Sequence, residues 1–357
     1  MRPARAPGRL LIVGSALALV LLLAVAWFAW GGRSADHLAR AGASPTDAPS
    51  ALASPPAGST PTAAAQVTPG VTPRPAATPA GSVAGAGEGG ELRFPIRAAF
   101  YYPWFPESWS QAGFDPFTNY HPSLGFYSTL AVVRQHIAAL QYGGIQAGIA
   151  SWWGQGSQTD TRLPALLAAA RGTGFRWAVY YEPEGQGDPA VSRISADLAY
   201  IGSRYGHDPA YLRVGGRFVV FVYADPNDRC GMADRWARAS AGTNAYVVLK
   251  IFPGYRGCAS QPAAWHQYNP ATAQTSVAGS AFTVSPGFWK KGDPSPRLAR
   301  DPVRFQASVQ AMVASGAPWQ LVTTFDEWGE GTAVESATEW ASPSGYGVYL
   351  DILHEVR

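Results

Sequence analysis

The sequence predicts an α/β barrel of the (β/α)8 TIM type, carried behind one N-terminal transmembrane helix and a disordered linker. Three observations lead there. Apolar, β-branched or aromatic runs recur eight times within residues 92–357, with helical patterns between most of them. The runs are apolar throughout rather than alternating, as strands of a parallel sheet covered on both faces read. Eight such units within that length match the size of a closed barrel. A doubly wound open sheet is the alternative. No GxGxxG or P-loop pattern follows the first run, which weakens nucleotide-binding versions of either fold.

The strands are expected at 97–102, 145–151, 175–182, 218–223, 246–252, 265–268, 281–285 and 320–325, the sixth and seventh being the weakest. Helices are expected at 130–142, 162–171, 190–205, 228–239 and 302–314. The first carries Val133, Ile137 and Leu140 at the spacing of one helix face. Trp177 and Trp319 stand at strand starts and read as packing residues.

Residues before 92 are a different material. Residues 1–9 hold Arg2, Arg5 and Arg9 and read as a cytoplasmic basic N-terminus. Residues 10–30 are uncharged and mostly apolar; as a helix they would run about 31 Å, the thickness of a bilayer core. An uncleaved signal anchor with the following chain outside the cell is favoured. Secretion after cleavage near Ala24-Val25-Ala26 is the alternative, since cleaved signals have apolar regions of about 7–15 residues. In 31–91, 47 of 61 residues are Ala, Gly, Pro, Ser or Thr and none is aromatic, so no core can form and a disordered tether results.

The overall charge is +3, and residues 92–357 hold 21 basic against 20 acidic residues. No basic field remains to attract a polyanion, which argues against a nucleic-acid partner. Only Cys230 and Cys258 are present. On the exported side they are expected to pair; two unpaired buried thiols are the alternative. The six His show no HxH or HExxH spacing, and no CxxC occurs, so no metal site is expected. His136 reads as solvated on its helix and Glu184 as solvent-facing. His121 and His266 could reach the rim. Ser151 lacks a GxSxG elbow, which disfavours a serine hydrolase.

Barrel enzymes place their chemistry at the C-terminal ends of the strands. Those ends here are crowded with aromatic and acidic groups: Tyr102 and Trp104, Trp152, Glu182, Asp225, Tyr268, and the run Thr324-Phe325-Asp326-Glu327-Trp328-Gly329-Glu330-Gly331-Thr332. Flat rings stack on the C–H faces of sugars and carboxylates accept their hydroxyls, so the combination points to a carbohydrate cleft. Glu327 and Glu330 stand three apart in a Gly-punctuated turn. Two carboxylates held together cannot easily both ionise, and one pKa rises. A glycosidase needs that split, one protonated acid and one ionised base. A lone ExxE is usually a solvated acidic turn; its position after the last strand, beside Trp328 and Gly331, favours the catalytic reading.

The stretch from Thr324 to Glu335 resembles the signature of glycoside hydrolase family 99, the endo-α-mannosidase family, whose usual form is S/T-F-N-E-W-H-E-G-T-x-I-E. Phe100-Tyr101-Tyr102-Pro103-Trp104 resembles its opening YYPWY, and Leu124-Gly125-Phe126-Tyr127-Ser128 its LGPYSS. Residues 148–153 and 211–225 resemble two further stretches in the same order. The resemblance implies a (β/α)8 barrel without cofactor. It implies Glu330 as general acid and Glu327 as the base toward the sugar 2-hydroxyl. It implies Tyr102, Trp152, Glu182 and Tyr268 as substrate-binding residues, and retention through a 1,2-anhydro sugar. Glu335 is expected to orient the turn or cap the next helix. Asp326 stands where the family has Asn and Gly329 where it has His, and the loop before Leu124 is short. The function expected is therefore a membrane-anchored glycosidase acting on an α-linked glycan. A barrel of cell-surface polysaccharide assembly, or a non-catalytic carbohydrate-binding barrel, are the alternatives.

Overall fold

The structure is a computed structural model and describes residues 90–357. The basic N-terminus, the 10–30 anchor and the linker up to residue 89 lie outside the described residues. Among the described residues no helix is long and apolar enough to cross a membrane.

Ten strands form one sheet: β1 (Ile96–Tyr101), β2 (Ala147–Trp152), β3 (Arg176–Tyr181), β4 (Arg213–Val214), β5 (Arg217–Val222), β6 (Ala245–Lys250), β7 (Ala264–His266), β8 (Gln274–Val277), β9 (Ala281–Val284) and β10 (Trp319–Val322). Their order is β7-β6-β5-β3-β2-β1-β10-β9-β8, with β4 pairing β5. Eight strands run parallel, at the eight places expected, and the first pairs with the last in the register Ile96↔Trp319 to Ala99↔Val322. β4 and β8 are antiparallel additions to β5 and β9. β7 and β9 share no ladder, but side chains bridge the seam. Ser280 Oγ accepts from the Trp265 amide at 2.8 Å and donates to its carbonyl at 2.7 Å, and Thr283 Oγ1 donates to the Gln267 carbonyl at 2.6 Å. The result is a nearly closed barrel.

Helices α1 (Thr129–Tyr142), α2 (Gln158–Ala170), α3 (Val191–Arg204), α4 (Cys230–Ser240) and α5 (Pro302–Ala314) match the five expected; α6 (Val348–Glu355) is an addition. The start of α5 shows why the sequence folds so. Asp301 accepts from the amides of Val303 and Arg304, and Pro302 takes the first helical position, where no amide is needed. The connections from β6 to β7 and from β7 to β9 hold no helix, only a 3-10 turn (Tyr255–Gly257) and the β8–β9 hairpin. On that thinner side Cys230, at the start of α4, is disulfide-bonded to Cys258, with Cα atoms 5.4 Å apart. Closing that loop contributes on the order of 3 kcal/mol in the chain-entropy account.

Alternation along each strand decides what faces the barrel interior. On β1, Phe100 points inward against Tyr180 and Tyr268, with ring centroids at 4.7 and 5.1 Å. Tyr101 points outward and bonds His136 Nδ1 of α1 at 3.0 Å. On β3, Tyr180 points inward, and Tyr181 points outward and donates to Asp197 of α3 at 2.8 Å. Trp177 lies over Gly148, where a Cβ would meet the indole at 2.1 Å, and both Trp177 and Trp319 are packing residues as expected. Lower in the barrel, Phe221, His266 and Trp319 continue the aromatic filling.

Two polar residues read as exposed are buried. His136 is fully buried, its Nε2 3.2 Å from Glu335 Oε1. Glu184 is 2% exposed, ion-paired with Arg235 and accepting from Trp236 Nε1 at 2.8 Å. Their partners lie far along the chain, so helix periodicity alone left both faces looking solvated.

Candidate active site

The turn after β10 is held by its own backbone. Thr324 Oγ1 accepts from the Glu327 amide at 2.9 Å, the Thr332 amide donates to the Glu327 carbonyl at 3.1 Å, and Glu327 Oε1 accepts from the Glu330 amide at 3.2 Å. Gly331 sits at φ +65°, where a Cβ would lie 2.8 Å from the Trp289 carbonyl, so only glycine closes the loop. Glu327 is 5% exposed and Glu330 half-buried. Glu330 Oε2 is 3.4 Å from the Tyr268 hydroxyl, which in turn accepts from Tyr102 at 3.0 Å. The Tyr102 ring stacks on Trp104 at 4.5 Å. Glu330 thus meets a wall of rings, and the Glu327 charge acts on the hydroxyls of the same Tyr102 and Tyr268. Across it, Glu182 accepts from Ser151 Oγ at 2.9 Å, and Ser151 accepts from Trp153 Nε1 at 3.0 Å.

Gly329 also has a steric reason. A Cβ there would stand 2.4 Å from the Phe117 ring and 3.1 Å from Glu327 Oε1. Phe117 fills the space that a side chain at 329 would need.

Electrostatics separates the carboxyl groups. Burial, reinforced by the Glu330 charge, lifts Glu327 well above the ordinary carboxylate range. Burial also lifts Glu330, but Lys290, the Tyr268 hydroxyl, Arg297 and Lys250 oppose the rise. Both carboxyl groups thus hold a proton more tightly than an exposed glutamate, while the neighbours of Glu330 favour its ionised form. Asp326 is fully buried and raised well above its usual value by desolvation and by Glu335, although its Oδ1 accepts from the Tyr102 amide at 2.8 Å.

Burial lifts Glu182 to about 8 and lowers Lys250 to about 8. Folded Glu182 holds its proton more tightly than the unfolded chain does, so its burial costs nothing below about pH 4.5 and progressively more as pH rises to about 8. Lys250 carries its cost in full below about pH 8 and loses it as pH rises toward 10.5. Glu184, lifted to about 7, runs with Glu182. The melting temperature is therefore expected to fall from about pH 5 to a trough near 8. It then rises until tyrosines titrate, around pH 9.5. Glu182→Gln should flatten the acid limb and Lys250→Met the alkaline one. Calorimetry giving a flat profile across that range would contradict this electrostatic account.

Of the residues expected in the site, Tyr102, Trp104, Glu182, Tyr268, Glu327 and Glu330 gather at this mouth. Two do not. Trp152 points out of the barrel, its Nε1 donating to Asp160 at 2.7 Å, and the inward position at that strand end belongs to Ser151. Trp328 is fully buried behind the turn, donating to Tyr127 at 3.0 Å and to Glu335 at 3.2 Å and stacking on Trp340 at 6.0 Å. Asp225 accepts from the Asn227 amide at 2.7 Å as a turn cap, while its charge reaches Lys250. His121 pairs with Glu339 at the surface. His266 is buried inside the barrel, lowered to about 3 by desolvation, and so neutral.

Lys250 was not read from the sequence, although a lysine closing the apolar run Ala245–Lys250 was a signal. Among the described residues the one acidic group with metal-ligand proximity is Glu184, Asp188 and Asp228. Arg235 is ion-paired to all three, so the cluster already holds a cation.

Comparison with known proteins bears on the fold. No curated protein matches the chain significantly. The endo-alpha-mannosidase of Bacteroides thetaiotaomicron, from glycoside hydrolase family 99, superposes with a TM-score of 0.59 at 19% identity. The match covers 74% of this chain and 96% of that one. Its complex with bis-tris-propane gives 0.58 at 18% identity, covering 74% and 96%. A glycoside hydrolase-like protein gives 0.53 at 18% identity, covering 77% and 96%. These likenesses establish the shared fold. Residues 98–245 match the family model of glycosyl hydrolase family 99. The Glu327–Glu330 turn lies beyond that segment, which holds the motifs at 100–104, 124–128, 148–153 and 211–225, so from β1 to the start of β6 the chain matches glycosyl hydrolase family 99.

Proposed function

We propose that the protein is a retaining glycoside hydrolase that cleaves an α-linked glycan, with α-mannosides as the first substrates to try. The observation that carries this reading is the pair Glu327 and Glu330 on one turn, facing the Tyr268–Tyr102–Trp104 wall. Glu327 takes the proton of the sugar 2-hydroxyl, and the 2-oxygen attacks C1 as the bond to the leaving oxygen breaks. Glu330 gives its proton to that oxygen. Water then opens the 1,2-anhydro ring at C1, passing a proton to Glu330, while Glu327 returns its proton to the 2-oxygen. Two inversions at C1 leave net retention.

These roles need the proton on Glu330 when sugar is bound, although Lys290, Arg297 and Lys250 favour its ionised form. The substrate supplies the difference. A 2-hydroxyl donating to Glu327 stabilises its ionised form and sends the shared proton to Glu330. The disulfide suits an exported domain, in keeping with a membrane-anchored, outward-facing enzyme. The full-length protein incubated with α-mannooligosaccharides should release new reducing ends whose first NMR signal is the α anomer. A β anomer appearing first would refute retention, and no release from any α-linked glycan would refute the hydrolase.

A further inference from the structure

Two buried polar groups in the cleft have no role in that chemistry. The Tyr180 hydroxyl, on a residue 1% exposed, has no hydrogen-bond partner among the described residues. Lys250, 8% exposed, ends β6 with its Nζ 4.1 Å from the centre of the Tyr223 ring and 5.3 Å from that of Phe252. Among the described residues its ammonium makes no hydrogen bond or ion pair and rests on these ring faces. Tyr180 meets the same Tyr223 ring edge-on at 5.9 Å, so the two donors flank one ring. That ring is pinned from behind: a Cβ on Gly185 would stand 2.3 Å from it. Such a constellation leaves buried donors unpaired, which native structures avoid unless a ligand completes them.

We propose that Lys250 and Tyr180 bind a carboxylate carried by the glycan, so that the cleft is built for a chain containing uronic-acid residues. The inference rests on the glycosidase reading and names its substrate class. A carboxylate accepts from both groups and compensates the Lys250 charge, which a neutral sugar hydroxyl leaves unanswered. Glu182, Asp225, Glu330 and His266 are the titratable groups that sense Lys250, from β3, the loop after β5, the β10 turn and β7. His266 is neutral, and Glu182, already bonded to Ser151, is largely protonated below pH 8. The Tyr180 hydroxyl keeps its proton, since burial lifts it well above the usual phenol value.

The test is calorimetric titration of the full-length Glu330→Gln protein at pH 6.5 with α-1,3-mannotriose and with the same trisaccharide oxidised at C6 to its uronate, which keeps the 2-hydroxyl trans to the leaving group. Because that substitution itself removes a negative charge, the comparison is made with and without Lys250→Met in the same background. The uronate should bind at least about tenfold more tightly than mannotriose, as a charge-assisted contact allows. Lys250→Met should remove that preference, and Tyr180→Phe should reduce it about threefold. Mannotriose binding as tightly, a preference that survives Lys250→Met, or no binding of the uronate would each overturn the inference. Wild-type turnover separates the two readings. Cleavage of neutral α-mannan without a uronate preference would sink the carboxylate pocket alone. Uronate binding without cleavage of any α-glycan would keep the pocket and sink the hydrolase.

Discussion

Glu330→Gln is expected to lower kcat by about a thousandfold or more while leaving the glycan dissociation constant within a few-fold of wild type. General acid catalysis is worth about a hundred- to ten-thousandfold, and an amide cannot deliver a proton. The exchange is otherwise gentle. The amide oxygen can still accept from Tyr268, now 3.4 Å from Glu330 Oε2, and the backbone bond from the Glu330 amide to Glu327 is untouched. Glu327→Gln should be as damaging, since its amide cannot take the proton of the 2-hydroxyl. Leaving-group chemistry tells the two roles apart. A substrate whose leaving group departs without protonation, such as a glycosyl fluoride, should restore much of the Glu330→Gln rate and little of the Glu327→Gln rate. Rescue in the opposite order would reverse the assignment and make Glu327 the acid. Because burial lifts both carboxyl groups, the bell of kcat/KM against pH should lie above the ordinary carboxylate range. A wild-type profile centred below it would remove the case for a desolvated pair.

The barrel was legible because a strand buried on both faces has a composition of its own. Even β7 and β9, with only three and four ladder residues, stood where apolar runs marked them. The missing helices after β6 and β7 were less legible, since a 3-10 turn and a hairpin leave no strong period. Strand ends located the site, but not which side chain at each end turns inward. One residue of register exchanges the two faces, and a sequence does not number its own pleats. Trp152 was therefore chosen where Ser151 faces Glu182, and Trp328 was chosen although it packs behind Glu327. Space-filling was invisible as well. Gly329 looked like a lost side chain, and its cause is Phe117, 212 positions away along the chain and in contact only after folding. Lys250 failed to attract notice for a related reason: nothing local shows that its neighbours are rings and a carboxyl group from β3.

The support behind the catalytic turn should be nearly as sensitive as the turn itself. Glu335 is 3% exposed, serves two donors and lies beside a third buried group. Its Oε2 accepts from the Tyr127 hydroxyl at 2.7 Å and from Trp328 Nε1 at 3.2 Å, and its Oε1 lies 3.2 Å from His136 Nε2. His136 is tied in turn to Tyr101 on β1. Glu335→Ala strips these partners and leaves a void. Each buried donor left unsatisfied costs about 1–3 kcal/mol, so a loss of roughly 3–5 kcal/mol is expected, near 10 °C in melting temperature for a domain of this size. Trp328 is the residue next to Glu327, so its displacement moves the carboxylate, and a misplacement of about 1 Å costs on the order of a hundredfold in rate. Glu335→Gln is the informative companion. Its amide oxygen keeps one acceptor and its shape fills the space, so most of the stability should return. Asp326, however, would lose the neighbouring charge that helps hold its proton, and its carboxyl should ionise more readily. The catalytic pH profile of Glu335→Gln should then shift while its melting temperature stays close to wild type. If Glu335→Ala melts with the wild type and turns over at the same rate, this network plays no part in placing Glu327.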